Sequence, residues 1–278
     1  MHSMVVLSVI VLACTIRYKT MYRGKNWSKR WHYSLFLFLF PALLVLTTAI
    51  AILYMGCHGA MLGIKAGSLG CTISASLILF SLSCFVKQAY LGNRSIRHLA
   101  NYQQQNINGK IARIIPTDLP YSAQIGFWQP QLVISTGLLA SLDREHLAAV
   151  MAHEQAHIYY RDTFWFFWLG WIRSFTFWLP RTEALWQELL LLRELRADSQ
   201  AAKKVDFLSI AESLLIVAKA PLDPLLCASL NDAAVGDRLE ERINALLEEA
   251  ESLPVSRWQN WSWLCLLVLP LLTIFLHY

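Results

Sequence analysis

The chain has 278 residues, 56% hydrophobic and only 15% charged, with a net charge of +5 and a mean hydropathy of +0.40. Soluble domains carry about 25% charged residues, which argues against an ordinary water-soluble enzyme, and so apolar a chain cannot stay disordered. Eleven Trp, ten Tyr and thirteen Phe suit a bilayer, whose two interfaces collect aromatic side chains. An integral membrane protein is expected.

Four stretches are candidate spans. The N-terminal run 3–16 is short, and positive charge follows it rather than preceding it, the reverse of a signal peptide. Residues 33–56 and 66–86 are uncharged for 24 and 21 residues, and about 20 suffice to cross the hydrocarbon core. The fourth span is the C-terminal segment 258–278, uncharged from Trp261 onward. Between the first two lie Arg17, Lys19, Arg23, Lys25, Lys29 and Arg30 with no acid, whereas the loop before the third holds only Lys65. The positive-inside rule then places a basic loop 17–32 and everything from about residue 88 in the cytoplasm, with the N-terminus outside. That topology explains the basic loop without nucleic acid, and no direct nucleic-acid binding is expected. The six cysteines form no CxxC pair and read as buried small hydrophobes, with a Cys57–Cys71 disulfide the minority alternative.

Residues 89–257 read as the water-facing part. Extended runs at 112–115, 123–127 and 131–135 are punctuated by Pro116, Pro120, Gly126 and Pro130. Asp143 reads as the N-cap of a helix whose apolar period runs through Tyr160. Further helices are expected over about 182–204 and 237–251.

Inside the first of these helices sits His153-Glu154-Gln155-Ala156-His157. Residues four apart share a helix face, so both imidazoles reach one tetrahedral Zn²⁺, and Glu154 falls beside them as a general base rather than a ligand. A catalytic site needs a third protein ligand and an open fourth position. Glu194 supplies that ligand, and Asp198, four residues on, is placed to fix a ligating imidazole from behind. Glu183 and Glu188 are rivals without an acid four residues later, and ion pairs with Arg193 and Arg196 are the bland alternative. Asp162 reads as structural, in an ion pair with a neighbouring Arg.

The stretch 122–162 resembles the zinc peptidase region of the bacterial beta-lactam sensor-transducer membrane metalloproteases. The likeness lies in Ala123, Gly126, Pro130-Gln131-Leu132-Val133-Ile134, Leu138-Leu139, Leu147-Ala148-Ala149-Val150, the HExxH residues and Arg161-Asp162. Arg193-Glu194-Leu195-Arg196-Ala197-Asp198 resembles that family's second zinc motif. The heat-shock and CAAX-prenyl membrane metalloproteases are similar more distantly. The sensor receptors carry a penicillin-binding domain after their last span, and this sequence has none, so acylation by antibiotic is not expected. The heat-shock type usually has His-Pro ahead of a Glu-Arg-Ile segment, whereas Ala234-Val235-Gly236-Asp237 precedes Glu241-Arg242-Ile243 here. That favours the sensor-type branch and leaves no evident His for the oxyanion.

The expected fold is therefore a mainly α integral membrane protein: transmembrane helices plus a gluzincin-like zinc peptidase domain with a small β-sheet. The expected function is a membrane-embedded zinc endopeptidase in the plasma membrane with its site facing the cytoplasm. Its partners would be the lipid bilayer and a protein substrate, either a transcriptional repressor or a membrane protein. A quality-control protease of the heat-shock type is one alternative; a scaffold with structural zinc, closed by His98 or His146, is another. Residues 131–135 are a candidate edge strand for an extended substrate, or else an ordinary strand buried on the helix. The segment 163–180, with nine Phe or Trp, reads as a non-spanning hairpin turning at Gly170, because His157 and Glu194 on either side must meet at one ion.

Overall fold

The computed structural model describes residues 2–18, 27–58, 60–61, 64–65, 68–218, 232–247 and 258–276. Uncharged sequence becomes helix: α1 (His2–Tyr18), α2 (Trp27–Met55) and α3 (Ser68–Leu99), with a short hairpin of β1 (Ala60–Met61) and β2 (Ile64–Lys65) before α3. Helices α2 and α3 are long and apolar enough to cross a membrane, while α1 is shorter. The next elements are β3 (Gln104–Ile107), β4 (Lys110–Ile115), β5 (Ser122–Ile125), β6 (Gln131–Ser135), α4 (Thr136–Ser141) and α5 (Arg144–Tyr159). Then come α6 (Asp162–Phe175), α7 (Thr182–Ala201), α8 (Phe207–Ala218) and α9 (Asp232–Leu247).

The chain forms two units: Met1–Gln88 with Trp168–Leu189 and Leu253–Tyr278, and Ala89–Phe167 with Leu190–Ser252. In the first unit the basic segment 17–32 is not all loop. Arg17 lies within α1 and is fully buried, donating to the Phe38 carbonyl at 2.9 Å and to Thr182 Oγ1 at 3.1 Å. Arg30 lies in α2 and pairs with Glu188 at 2.8 Å. These cations satisfy buried partners, so their position has a structural cause besides topology. Lys19, Arg23 and Lys25 lie outside the described residues, as does Cys227. Cys57 and Cys71 are neighbouring free thiols rather than a disulfide.

Two further expectations for this unit change. The C-terminal segment is not one α-helix: a 3-10 helix spans Trp258–Val268, followed by α10 (Leu269–Leu272) and a 3-10 turn at Thr273–Leu276. Pro270 lacks the backbone donor that a continuous ladder requires. The aromatic segment reverses at 176–181 and not at Gly170, which lies inside α6. The turn is made by hydroxyls. Thr182 Oγ1 donates within reach of the Thr176 and Leu179 carbonyls (2.8 and 3.0 Å), and Arg181 takes the left-handed conformation, φ 57°.

The second unit holds a four-stranded sheet in the order β3-β4-β6-β5, with β4 and β6 parallel and the outer pairs antiparallel. Strand β6 is thus central, which overturns its reading as an edge. Leu132, Val133 and Ile134 are all buried, as a continuous apolar run should be when both faces are covered. Among the described residues the sheet ends, near the helices, at β5. Ile107, Ala112, Leu132, Ile134, Leu138 and Leu142 of the sheet side pack on Val150 and Met151 of α5. Each large side chain so buried contributes about 2 kcal/mol. Ala149, Ala201 and Ile210 form a second cluster that joins α5, α7 and α8.

Helix α5 begins where expected: Asp143 Oδ1 accepts from the backbone N–H of Glu145 and His146 at 3.0 and 2.9 Å. The His146 ring bridges Asp143 (2.8 Å) and Glu212 of α8 (2.9 Å). Hydrogen bonds to Glu212 and Asp143 raise its pKa above the usual imidazole value. A raised imidazole pKa stabilises the fold fully below the unfolded value near 6.5, and that stability is lost as pH rises through the folded value. Thermal unfolding of wild type and His146→Gln should therefore differ more at pH 6 than at pH 9.

Candidate active site

Helix geometry alone brings the two histidines together. His153 and His157 lie one turn apart on α5 with ring centroids at 4.7 Å and Nε2 atoms at 3.0 Å. Across from them, Glu194 of α7 places Oε2 at 3.3 Å from His153 Nε2 and 3.7 Å from His157 Nε2. Tetrahedral zinc with ligand bonds of 2.0–2.1 Å separates its ligand atoms by about 3.3 Å. The spacing and the His₂Glu chemistry fit such an ion. Among the described residues this is the one group of three or more such side chains close enough to hold a metal.

Each of the three has its other polar atom occupied. His153 Nδ1 meets Asp198 Oδ1 at 2.7 Å, and His157 Nδ1 meets Asp162 Oδ2 at 2.7 Å. Glu194 Oε1 accepts from Arg193 Nε and Nη2 at 2.9 and 2.7 Å, which leaves Oε2 for the histidines. A carboxylate on Nδ1 holds the ring proton there and turns Nε2 toward the ion.

Behind the carboxylates stands a layer of arginines. Arg242 of α9 grips Asp198 through Nε (2.7 Å) and Nη2 (2.9 Å), and Arg196 bonds Asp162. Burial works against charge on Glu194, yet Arg193 and the two imidazoles hold its carboxyl well below the usual range. Asp198 is likewise held low, against burial, by Arg242 and His153. Burial also opposes charge on His153, but Asp198 and Glu194 outweigh it and push the imidazole up to about 10.

Glu154 is buried, with Oε1 accepting from Ser122 Oγ at 2.7 Å. Its Oε2 is buried too and accepts no hydrogen bond among the described residues. A carboxylate oxygen in that state suits a general base. The cleft holds about 420 Å³ and is lined by 121–125 of the β5 edge, the three candidate ligands, Glu154 and Arg242.

Residues 96–216 match the model of peptidase family M48. The match covers less than half of the chain. Comparison with curated proteins finds no match. The matched segment contains Ser122, His153, Glu154, His157, Asp162, Glu194 and Asp198, and Arg242 lies beyond it. The match supports a metallopeptidase.

Glu183 bonds Arg173 at 2.8 Å, and Glu188 bonds Arg30. His146 is spent on Asp143 and Glu212, and His98 lies within reach of Arg94. Three residues escaped the sequence reading. Asp162 does have its arginine, but it also orients His157; its position five residues after that histidine was the available signal. Its approach depends on Arg161, left-handed at φ 54°, which folds the start of α6 back on α5. Arg242 and Ser122 stand 44 and 32 residues from their partners, and no local spacing reveals them.

If the carboxylates orient the imidazoles, Asp162→Asn and Asp198→Asn should each weaken zinc binding by about 10–100-fold. Glu194→Ala should weaken it further, and Glu188→Ala should leave it unchanged. Competition titration with a chromogenic chelator measures all four.

Proposed function

We propose that this protein is a membrane-embedded zinc endopeptidase that hydrolyses peptide bonds of membrane proteins or of cytoplasmic regulatory proteins. The observation that carries the reading is the pairing of an Nε2/Nε2/Oε2 triad with a buried, half-satisfied Glu154 carboxylate. His153, His157 and Glu194 would hold the zinc. Bound there, zinc supplies Lewis acidity, polarising a carbonyl and making water a stronger acid. Glu154 takes the proton of the attacking water on Oε2 and returns it to the departing amine nitrogen. Asp198 and Asp162 keep the imidazoles in one tautomer throughout. Arg242 lines the cleft with Nη1 at 3.7 Å from Glu194 Oε2, a cation placed to meet charge developing on the scissile oxygen. Strand β5 offers an open edge, so the substrate enters extended and main-chain hydrogen bonds hold it.

Membrane embedding is supported by α3, whose apolar stretch is only 22% buried. Leu79, Phe80, Leu82 and Val86 are exposed on it, a surface that lipid covers at no hydrophobic cost. In the α6–α7 segment Trp165 and Phe177 are exposed as well, and we place this hairpin at the headgroup level with the site on the cytoplasmic side. The departures from the heat-shock type favour a sensor-type signalling role. A scaffold with structural zinc would require a fourth protein ligand, and the described residues offer none near the triad.

Glu154→Gln should keep its zinc and lose cleavage of casein by several orders of magnitude, while His153→Ala should lose both. Near-normal cleavage by Glu154→Gln would remove Glu154 from the mechanism. Topology is tested separately, with single cysteines at the exposed positions Ser141 and Lys203 in a Cys-free background. Both should react with an impermeant maleimide from the cytoplasmic side alone; labelling from opposite faces would exclude a non-spanning hairpin.

A further inference from the structure

We infer that Ser122 is a positioning residue for the general base, linking Glu154 to the strand on which an extended substrate would pair. The inference rests on the peptidase reading above. A glutamate side chain has several rotatable bonds, and a base that swings loses the water it must deprotonate. Among the described residues Ser122 Oγ, at 2.7 Å, is the hydrogen-bond donor to Glu154, and it engages Oε1 alone. The bond therefore fixes the carboxylate plane and leaves Oε2 as the free oxygen.

Ser122 is itself held firmly. It opens β5 opposite Ile134, and its neighbour Tyr121 is locked to Ser135 from both directions. The Ser135 N–H donates to the Tyr121 carbonyl at 2.9 Å, and the Tyr121 N–H donates to Ser135 Oγ at 2.8 Å. Antiparallel ladders alternate bonded and non-bonded pairs. With Tyr121 and Ser135 bonded, the next bonded pairs fall at Ala123–Val133 and Ile125–Gln131. The main-chain N–H and C=O of Ser122 and Gln124 then point away from β6, toward the open edge. One residue thus turns its backbone to the place where a peptide adds and its hydroxyl to the base. Removing the hydroxyl should impair the chemical step while leaving the backbone edge, and hence substrate binding, intact.

The variants Ser122→Thr and Ser122→Val have the same shape, suit a strand, and differ in the hydroxyl alone. Full-length protein in detergent is loaded with zinc, its metal content is measured, and kcat and KM are read with an internally quenched casein peptide. Ser122→Thr should retain kcat within about threefold of wild type, and Ser122→Val should lose about 10–100-fold in kcat with KM and zinc content unchanged. Equal kcat for the two variants, or a loss confined to KM, overturns the inference. Loss of zinc from Ser122→Val alone overturns it as well, since Ser122 would then be a prop of the metal site. A zinc-loaded wild type with no cleavage sinks the peptidase reading and this inference together; an active wild type with equal variants sinks only the inference.

Discussion

An imidazole presents Nε2 to a cation only while its proton is kept on Nδ1, and here a buried carboxylate does this for each histidine. Asp198 and Asp162 sit 2.7 Å from the two Nδ1 atoms and are themselves held by Arg242 and Arg196. Four helices contribute: α5 the histidines, α6 and α7 the carboxylates, α9 the outermost guanidinium. A buried carboxylate without its arginine would carry a desolvation penalty of several kcal/mol, enough to cancel much of a domain's stability. Fold and site are therefore coupled, because the ion pairs that orient the rings also fasten α6, α7 and α9 around α5.

Charge bookkeeping supports the same arrangement. Four carboxyl groups, of Glu154, Asp162, Glu194 and Asp198, stand among three guanidinium groups, of Arg193, Arg196 and Arg242. The resulting deficit of positive charge falls on the imidazoles. Burial opposes their protonation, yet the neighbouring carboxylates raise both pKa values, that of His153 to about 10. A metal ion held at the two Nε2 atoms would displace any proton there, which ties its affinity to pH.

What could be read from the sequence follows from range. Asp143 and the four-residue step from His153 to His157 are local signals, and α5 begins where they place it. The same step joins Glu194 to Asp198. The sheet is different. Gln131–Ser135 is apolar enough to read as a strand, but a strand's neighbours are set by distant pairing, so its central position was illegible. Strand β3, Gln104–Ile107, holds a single apolar residue and gives almost no period-2 signal. Gly170 looked like a turn because glycine breaks helices on average, yet aromatic packing carried α6 through it. Threonine hydroxyls at 176 and 182 made the reversal instead.

Edge pairing recognises main chain rather than side chains, so β5 by itself can choose only between folded and unfolded segments. The remaining selectivity has to come from the cleft walls. Val150, Ile210, Leu214 and Val217 make one wall apolar, while Arg193 and Arg242 bring charge to the same space. Nε and Nη2 of each arginine are taken by Glu194 or Asp198, which weakens both as receptors for an acidic side chain and leaves Nη1 of Arg242 to the cleft. An apolar substrate side chain gains about 25 cal/mol per Å² on entering such a wall, whereas a charged one loses hydration with no partner to replace it. On the proposed reading the preferred segment is extended and apolar, a combination that water-soluble proteins bury and that a membrane protein exposes when a span leaves the bilayer unwound. On the proposed reading, the selectivity of the peptidase lies less in sequence recognition than in which proteins present such a segment at the membrane surface.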